Sequence, residues 1–419
     1  MSVRLVVVVA LSVFVYAGCG STSTTQLDGG GSGSGANGAS GSSAGGASEA
    51  GSDVRSSSGS TGGGGAGATA EAGQDSLDAS LDSTASQQPD SGWGPDAGSN
   101  PASLWDARVV DGGTGASSFH CVNWAVNGDN YQPGPLVLSA MGSASDSYAQ
   151  VQSTSNGVLG AFLDLLGANC VRIPVNEPTA TGAWWSSCQA VIDTATAKGI
   201  KVIIAYWVKD SGHGQPYDIT QFYAMWQVVV AAYANNPLVY FDIHNEPFGF
   251  TQSGLITLVQ NWIARFPNVP KSNVIVPGTG WDDNVTAMGA AFPGYLLQLH
   301  IYAIGKTGPL TDTAWASNVA SVVGPYANRT IVGEWGNRVA GVNYDNPVNN
   351  DLGLAYVDGV SNEIHDMKMG SGFWPGLWAG PGNTSSWSLL TMNGSAPGYT
   401  FTVQSPSALK RVQHSWGLY

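Results

Sequence analysis

The chain reads as an α/β protein, a (β/α)8 TIM barrel preceded by a Gly/Ser-rich tether. Three observations carry that reading. Eight short apolar runs follow one another from residue 118 onward. Segments with apolar residues at helical spacing lie between most of them. Two of the runs end in a glutamate, Val239-Tyr-Phe-Asp-Ile-His-Asn-Glu-Pro247 and Thr330-Ile-Val-Gly-Glu334-Trp-Gly336. A strand buried on both faces reads as a continuous run rich in Val, Ile and aromatics, and strands alternating with helices argue for parallel βαβ units.

The front of the chain is of a different kind. Residues 1–19 read as a secretory signal, with Arg4, an apolar run and then small residues. The run is short for a membrane span. Its end, Val15-Tyr-Ala-Gly-Cys19, is similar to a bacterial lipobox, with Tyr16 where leucine is preferred. Cys19 is then the expected lipid site, and the protein is expected at the outer face of the envelope or secreted. Residues 20–100 are Gly, Ser, Ala, Thr and Asp with almost no large apolar side chain. Such a segment cannot bury enough surface to offset the entropy of ordering, so a disordered linker is expected. It holds nine acidic residues and one basic, Arg55, out of a net charge of −14. The domain expected over 101–419 is therefore only mildly acidic, which argues against nucleic acid as a partner.

The strand runs cover 118–124, 169–174, 200–207, 238–244, 273–277, 295–301, 330–334 and 370–378. Helical patterns fall over 156–167, 187–198, 219–234, 254–264, 314–323 and 352–367. An open doubly wound sheet is the main alternative, but it would usually carry a Gly-rich phosphate turn after its first strand, and Asn123-Trp124-Ala125 is no such turn. Among Cys121, Cys170 and Cys188 one pair is free to bridge in an oxidising compartment; the sequence does not choose which. No Cys/His cluster suggests a zinc site.

In a parallel barrel the side chains at the carboxyl ends of the strands face one pocket. Here these are Asn123 and Trp124, Arg172, Trp207, Asn245 and Glu246, Trp281, His300 and Tyr302, Glu334, and Trp374 or Trp378. Pro247 stops the fourth strand because it has no N–H for the ladder, which presents Glu246 at the strand's end. His244 alternates away from Asn245 and reads as a core or helix-facing residue, not a catalytic one. Two carboxylates, one guanidinium and many indoles fit glycoside hydrolysis. One carboxylic acid protonates the leaving oxygen and the other attacks the anomeric carbon or activates water, while an indole face packs on the C–H face of a sugar ring. An acyl hydrolase lacks support, because the one Gly-x-Ser-x-Gly match, Gly41-Ser-Ser43-Ala-Gly45, lies in the tether.

These motifs resemble glycoside hydrolase family 5, the cellulase family of retaining (β/α)8 glycosidases, over residues 101–419. Asn245-Glu246-Pro247 matches that family's acid/base at the end of the fourth strand, and Gly333-Glu334-Trp335-Gly336 its nucleophile on the seventh. Arg172 in Val171-Arg-Ile-Pro174 and His300-Ile-Tyr302 match its second- and sixth-strand residues, and Trp374 or Trp378 its eighth-strand tryptophan. The resemblance implies that Glu334 attacks and Glu246 works as acid and then base. It further implies that Tyr302 and Arg172 keep Glu334 charged and that Asn245 bonds the sugar 2-hydroxyl. No metal or organic cofactor is then needed. The expected substrate is a β-linked plant polysaccharide, β-1,4-glucan first and β-mannan second, handled by a monomer that touches membrane only through the Cys19 lipid. The rival reading is a non-catalytic carbohydrate-binding lipoprotein. One departure is plain. Many members carry a His at the third strand, where this chain has Ala205-Tyr206-Trp207; His213, in a Gly-rich loop, is the nearest candidate for that contact.

Overall fold

The structure is a computed structural model that describes residues 115–378, 385–396 and 398–419. The signal over 1–19, Cys19 and the linker over 20–100 lie outside the described residues. From residue 115 the chain forms a closed barrel of eight parallel strands, each paired with its neighbours in sequence and the eighth with the first. The strands are β1 His120–Trp124, β2 Cys170–Val175, β3 Lys201–Tyr206, β4 Val239–Asp242, β5 Val274–Val276, β6 Leu296–Ile301, β7 Thr330–Trp335 and β8 Gly370–Leu377. Each lies within, or one residue past, the run read from the sequence.

The larger helices are α1 Tyr148–Ala161, α3 Trp185–Ala197, α4 Ile219–Tyr233, α5 Gln252–Arg265, α7 Asp312–Val323 and α8 Leu352–Asp366. Only α1 departs far from its expected start. It begins eight residues earlier than the 156–167 pattern, because its first two turns are mostly polar and show no apolar stripe. What starts it is a capping box, in which the Ser147 side chain takes the Gln150 N–H and Gln150 returns the bond. Two short helices, α2 Glu177–Thr181 and α6 Thr286–Ala291, carry too few residues to show a period. The segment after β8 forms an antiparallel pair, β9 Leu390–Asn393 and β10 Thr400–Val403, then α9 Pro406–Ser415. Helix α9 packs against α8. Trp416 then donates its indole N–H to Ser371 O at 3.2 Å and stacks on His120, so the tail closes the wall over the β8–β1 seam.

The barrel interior has two levels. Low down it is apolar: Phe119, Cys121, Cys170, Ile203, Ile275 and Ile331 belong to one buried cluster. Cys121 and Cys170 face each other across β1 and β2, Cα atoms 4.3 Å apart, and form the disulfide the sequence left open. Cys188 is buried and free. Two residues further along each strand the same face points inward again, and there the lining turns polar: Asn123, Arg172, Asp242 and Gln298, all nearly inaccessible. Glycine makes room for this level. A Cβ at Gly333 would lie 1.9 Å from Gln298 Nε2, and one at Gly372 would lie 2.6 Å from Gly333 O. Trp226 and Trp262 meet edge to face at 5.4 Å with no solvent exposure, as core residues of α4 and α5.

Candidate active site

Glu246 stands just beyond β4. Ladder pairing stops at Asp242, and the Asn245 N–H donates to Tyr206 O at 2.8 Å. His244 turns outward and packs on Tyr206, Phe222 and Phe250. Glu246 itself has φ 48°, in the left-handed region that costs a side-chain-bearing residue roughly 1–2 kcal/mol. Its N–H is bound by Asp282 Oδ2 at 2.7 Å. Its carboxylate is held on both oxygens. Tyr131 O–H donates to Oε2, and His300 Nδ1 lies 3.2 Å from Oε1. Burial pushes the carboxyl up to about 7, with the Tyr131 hydrogen bond and the Arg172 charge opposing.

Glu334 ends β7, 3% exposed. Arg172 Nη1 donates to its Oε1 at 2.5 Å and Tyr302 O–H to its Oε2 at 3.1 Å. Burial raises this carboxyl as well, and His300 and the Arg172 guanidinium counter it. Arg172 can be charged at 1% exposure because acceptors surround it: Asp242 Oδ2 at 3.0 Å from Nε, Asn245 Oδ1 at 2.7 Å from Nη2 and Asn123 Oδ1 at 3.2 Å from Nη1. A buried cation without such partners would be costly. The two glutamates thus differ in kind: one touches a fixed cation, the other a phenol and an imidazole.

His300 links the pair. A register shift between Leu299 and His300 sets it opposite Glu334 on β7, and such irregularities recur beside active sites. The Gln298 amide nitrogen lies 3.1 Å from His300 Nε2. An amide nitrogen only donates, so the imidazole proton sits on Nδ1 and points to Glu246. Burial lowers His300 to about 3, which keeps it neutral. One oxygen each of Glu246 and Glu334, with a His300 nitrogen, lie within 4.8 Å of one another. Three such donors would also suit a divalent cation, but the Glu334 oxygen that faces His300, Oε2, already accepts the Tyr302 O–H at 3.1 Å, and His300 Nδ1 carries its proton.

Indoles wall the site. Trp207 and Trp374 stack at 5.7 Å, Tyr131 lies on Trp207 at 4.8 Å, and Trp378 meets Trp374 at 6.2 Å while its N–H reaches Gly128 O at 3.1 Å. Trp281 is 45% exposed and stacks on Phe248 at 3.7 Å, beside the Glu246 turn. His213 keeps to its own loop, where its ring bonds Gln215 O at 2.9 Å and stacks on Tyr217. Trp184 and Trp185 are buried and cover the barrel.

Four residues of the site were not read from the sequence. Asp242 and Gln298 had a signal, since each is polar inside an otherwise apolar strand and so requires a buried partner. Tyr131 and Asp282 had none, because both sit in loops without a period.

Two carboxylic acids this close above a parallel barrel, in unequal surroundings, are what glycosidic bond cleavage requires. A family model described as cellulase, glycosyl hydrolase family 5, matches residues 141–374. That is more than half of the chain, and the chain belongs to this family: it is a glycoside hydrolase. No curated protein matches it by sequence. Among solved structures it is similar to the catalytic domain of the major endoglucanase from Xanthomonas campestris pv. campestris, at 15% identity and TM-score 0.49, covering 71% of this chain and 94% of that one. It is also similar to the hyperthermophilic endocellulase of the archaeon Pyrococcus horikoshii, at 14% and 0.49, covering 71% and 92%. The Cel5A (EG2) protein of Hypocrea jecorina (Trichoderma reesei) matches at 16% and 0.49, covering 70% and 97%.

Proposed function

We propose that this enzyme is a retaining endo-β-1,4-glucanase. The observation that supports this most is the approach of the two carboxylates, with oxygens within 4.8 Å. Retaining enzymes hold their carboxyl groups about 5–5.5 Å apart, whereas inverting ones need about 6.5–9.5 Å to admit a water. In the first step a Glu334 oxygen bonds the anomeric carbon as the glycosidic C–O bond breaks, and the departing oxygen takes the Glu246 proton. In the second, Glu246 removes a proton from water, the water oxygen bonds the anomeric carbon, and Glu334 leaves with its electron pair. Arg172 and Tyr302 stabilise the charge that returns to Glu334. Asn245 Nδ2, whose bond to Tyr131 is long at 3.2 Å, is the donor offered to the sugar 2-hydroxyl. The glucan preference follows the cellulase description of the family.

The test is reducing-sugar release by the full chain from carboxymethyl cellulose, barley β-glucan, glucomannan, galactomannan and xylan. Release from the two glucans, with a rapid fall in viscosity, is expected. Release from galactomannan alone would move the substrate to β-mannan. Binding without release from any polymer would overturn the enzymatic reading of the site. We also propose that the enzyme works outside the cell as a monomer, released or held by a lipid on Cys19. Mass spectrometry of the mature N-terminus is expected to find acylated Cys19, and an unprocessed Met1 would refute it.

A further inference from the structure

Asp282 is an acid with no contact to open solvent and no place in the two-step reaction above. It sits in the loop after β5, in a turn closed by the Thr279 N–H to Asn284 O bond at 2.9 Å, at φ 58° and 0% exposed. Its Oδ2 takes the Glu246 N–H at 2.7 Å. Its own carbonyl takes the His300 N–H at 2.8 Å, and its carboxylate lies 3.9 Å from the far nitrogen of the same imidazole. Oδ1 has no partner among the described residues. Two adjacent turns, both in the left-handed region, are thus clamped to each other through one side chain.

The clamp acts on one of the two glutamates. Glu246 holds an unfavourable φ, and the residue after it is a proline with no N–H; the turn is closed by the Phe248 N–H to Glu246 O at 2.9 Å, and the Glu246 N–H is the donor that ties it to the β5 loop. His300, which shares Asp282, points its proton at Glu246 Oε1. Glu334 is held directly by Arg172 and Tyr302, and His300 Nδ1 lies farther from it, at 3.7 Å against 3.2 Å from Glu246. Burial and the neighbouring Asp242 hold the Asp282 carboxyl well above the usual carboxylate range, and its Oδ2 serves as the hydrogen-bond acceptor there.

We propose that Asp282 is a positioning residue for proton transfer: by binding the Glu246 backbone and His300 it aims the Glu246 carboxyl at the glycosidic oxygen, and it does not serve the nucleophile. This rests on the reading of Glu246 as the acid/base.

The test separates leaving groups. Cellotetraose needs its departing oxygen protonated, whereas 2,4-dinitrophenyl β-cellobioside releases a phenolate stable without a proton. In Asp282→Gly, where glycine is at ease at φ 58°, kcat/KM on cellotetraose is expected to fall by about 10- to 100-fold, the cost of a misplaced catalytic group. On the dinitrophenyl substrate kcat/KM falls by less than about 3-fold while kcat and KM drop together, because deglycosylation also needs Glu246. Asp282→Asn keeps an acceptor and a side chain tolerant of this φ, and is expected to restore most of the cellotetraose rate. Asp282→Ala repeats the measurement if the glycine variant does not fold. Equal losses on both substrates, or none on either, would overturn the inference. Glu246→Ala runs alongside: leaving-group dependence there but not at position 282 refutes the role of Asp282 alone, and its absence in Glu246→Ala overturns the acid assignment and this inference with it.

Discussion

Glu334→Ala lowers kcat/KM on β-glucan by on the order of 10^4-fold or more, the largest loss expected from any single substitution in this chain. Among the described residues no other carboxylate oxygen is placed to replace it. Asp242 is committed to Arg172 Nε at 3.0 Å, and Asp282 lies buried behind Glu246. The variant should still fold, because Arg172 keeps Asp242, Asn245 and Asn123 as acceptors when Glu334 is gone. The covalent step can be seen directly. A 2-deoxy-2-fluoro-β-cellobioside with a good leaving group forms the glycosyl-enzyme but slows its hydrolysis, so the wild-type peptide containing Glu334 gains the mass of the sugar. A label on another residue, or near-normal turnover by Glu334→Ala, would remove Glu334 from the nucleophile's role.

The second expected result is a pH profile. In the first step Glu246 must carry a proton, and burial holds its carboxyl at about 7. The acid form therefore prevails below that value, and kcat/KM falls about tenfold per pH unit once pH rises past it. Glu246→Gln is expected to lose about 10²- to 10⁴-fold on cellotetraose and to lose this alkaline limb. Azide, which needs no base, should then restore turnover of the dinitrophenyl glycoside by Glu246→Ala, with glycosyl azide of retained configuration. An alkaline limb near 7 that survives in Glu246→Gln would assign it to another group.

The means by which the two glutamates come to differ explains why the site lies at this level of the barrel. Above the apolar cluster, Arg172 hydrogen-bonds Asn123 and Asp242 while Gln298 meets His300 above it, and this layer fits only because Gly333 and Gly372 carry no side chain. Gln298 sets the His300 tautomer and Asp242 holds the Arg172 fork. Each therefore acts on one of the two glutamates through an intermediate group.

By itself the sequence determined the eight strands, the six longer helices to within a turn in all but α1, and the strand-end group of Glu246, Glu334, Arg172, Asn245, His300 and Tyr302. These were legible because a buried strand is a local apolar run and a helix a local period; the fourth strand ends at Asp242, before Pro247 could stop it. The tertiary structure alone decided that Cys121 bridges Cys170 and not Cys188, that Tyr131 reaches Glu246 across 115 residues and Arg172 reaches Asp242 across 70, and that Asp282 ties the Glu246 backbone to His300. Those pairings depend on strand register, on a shift of pairing at His300 and on loops folded over the barrel mouth. They arise only when the closed sheet brings distant segments together, and no local pattern records them.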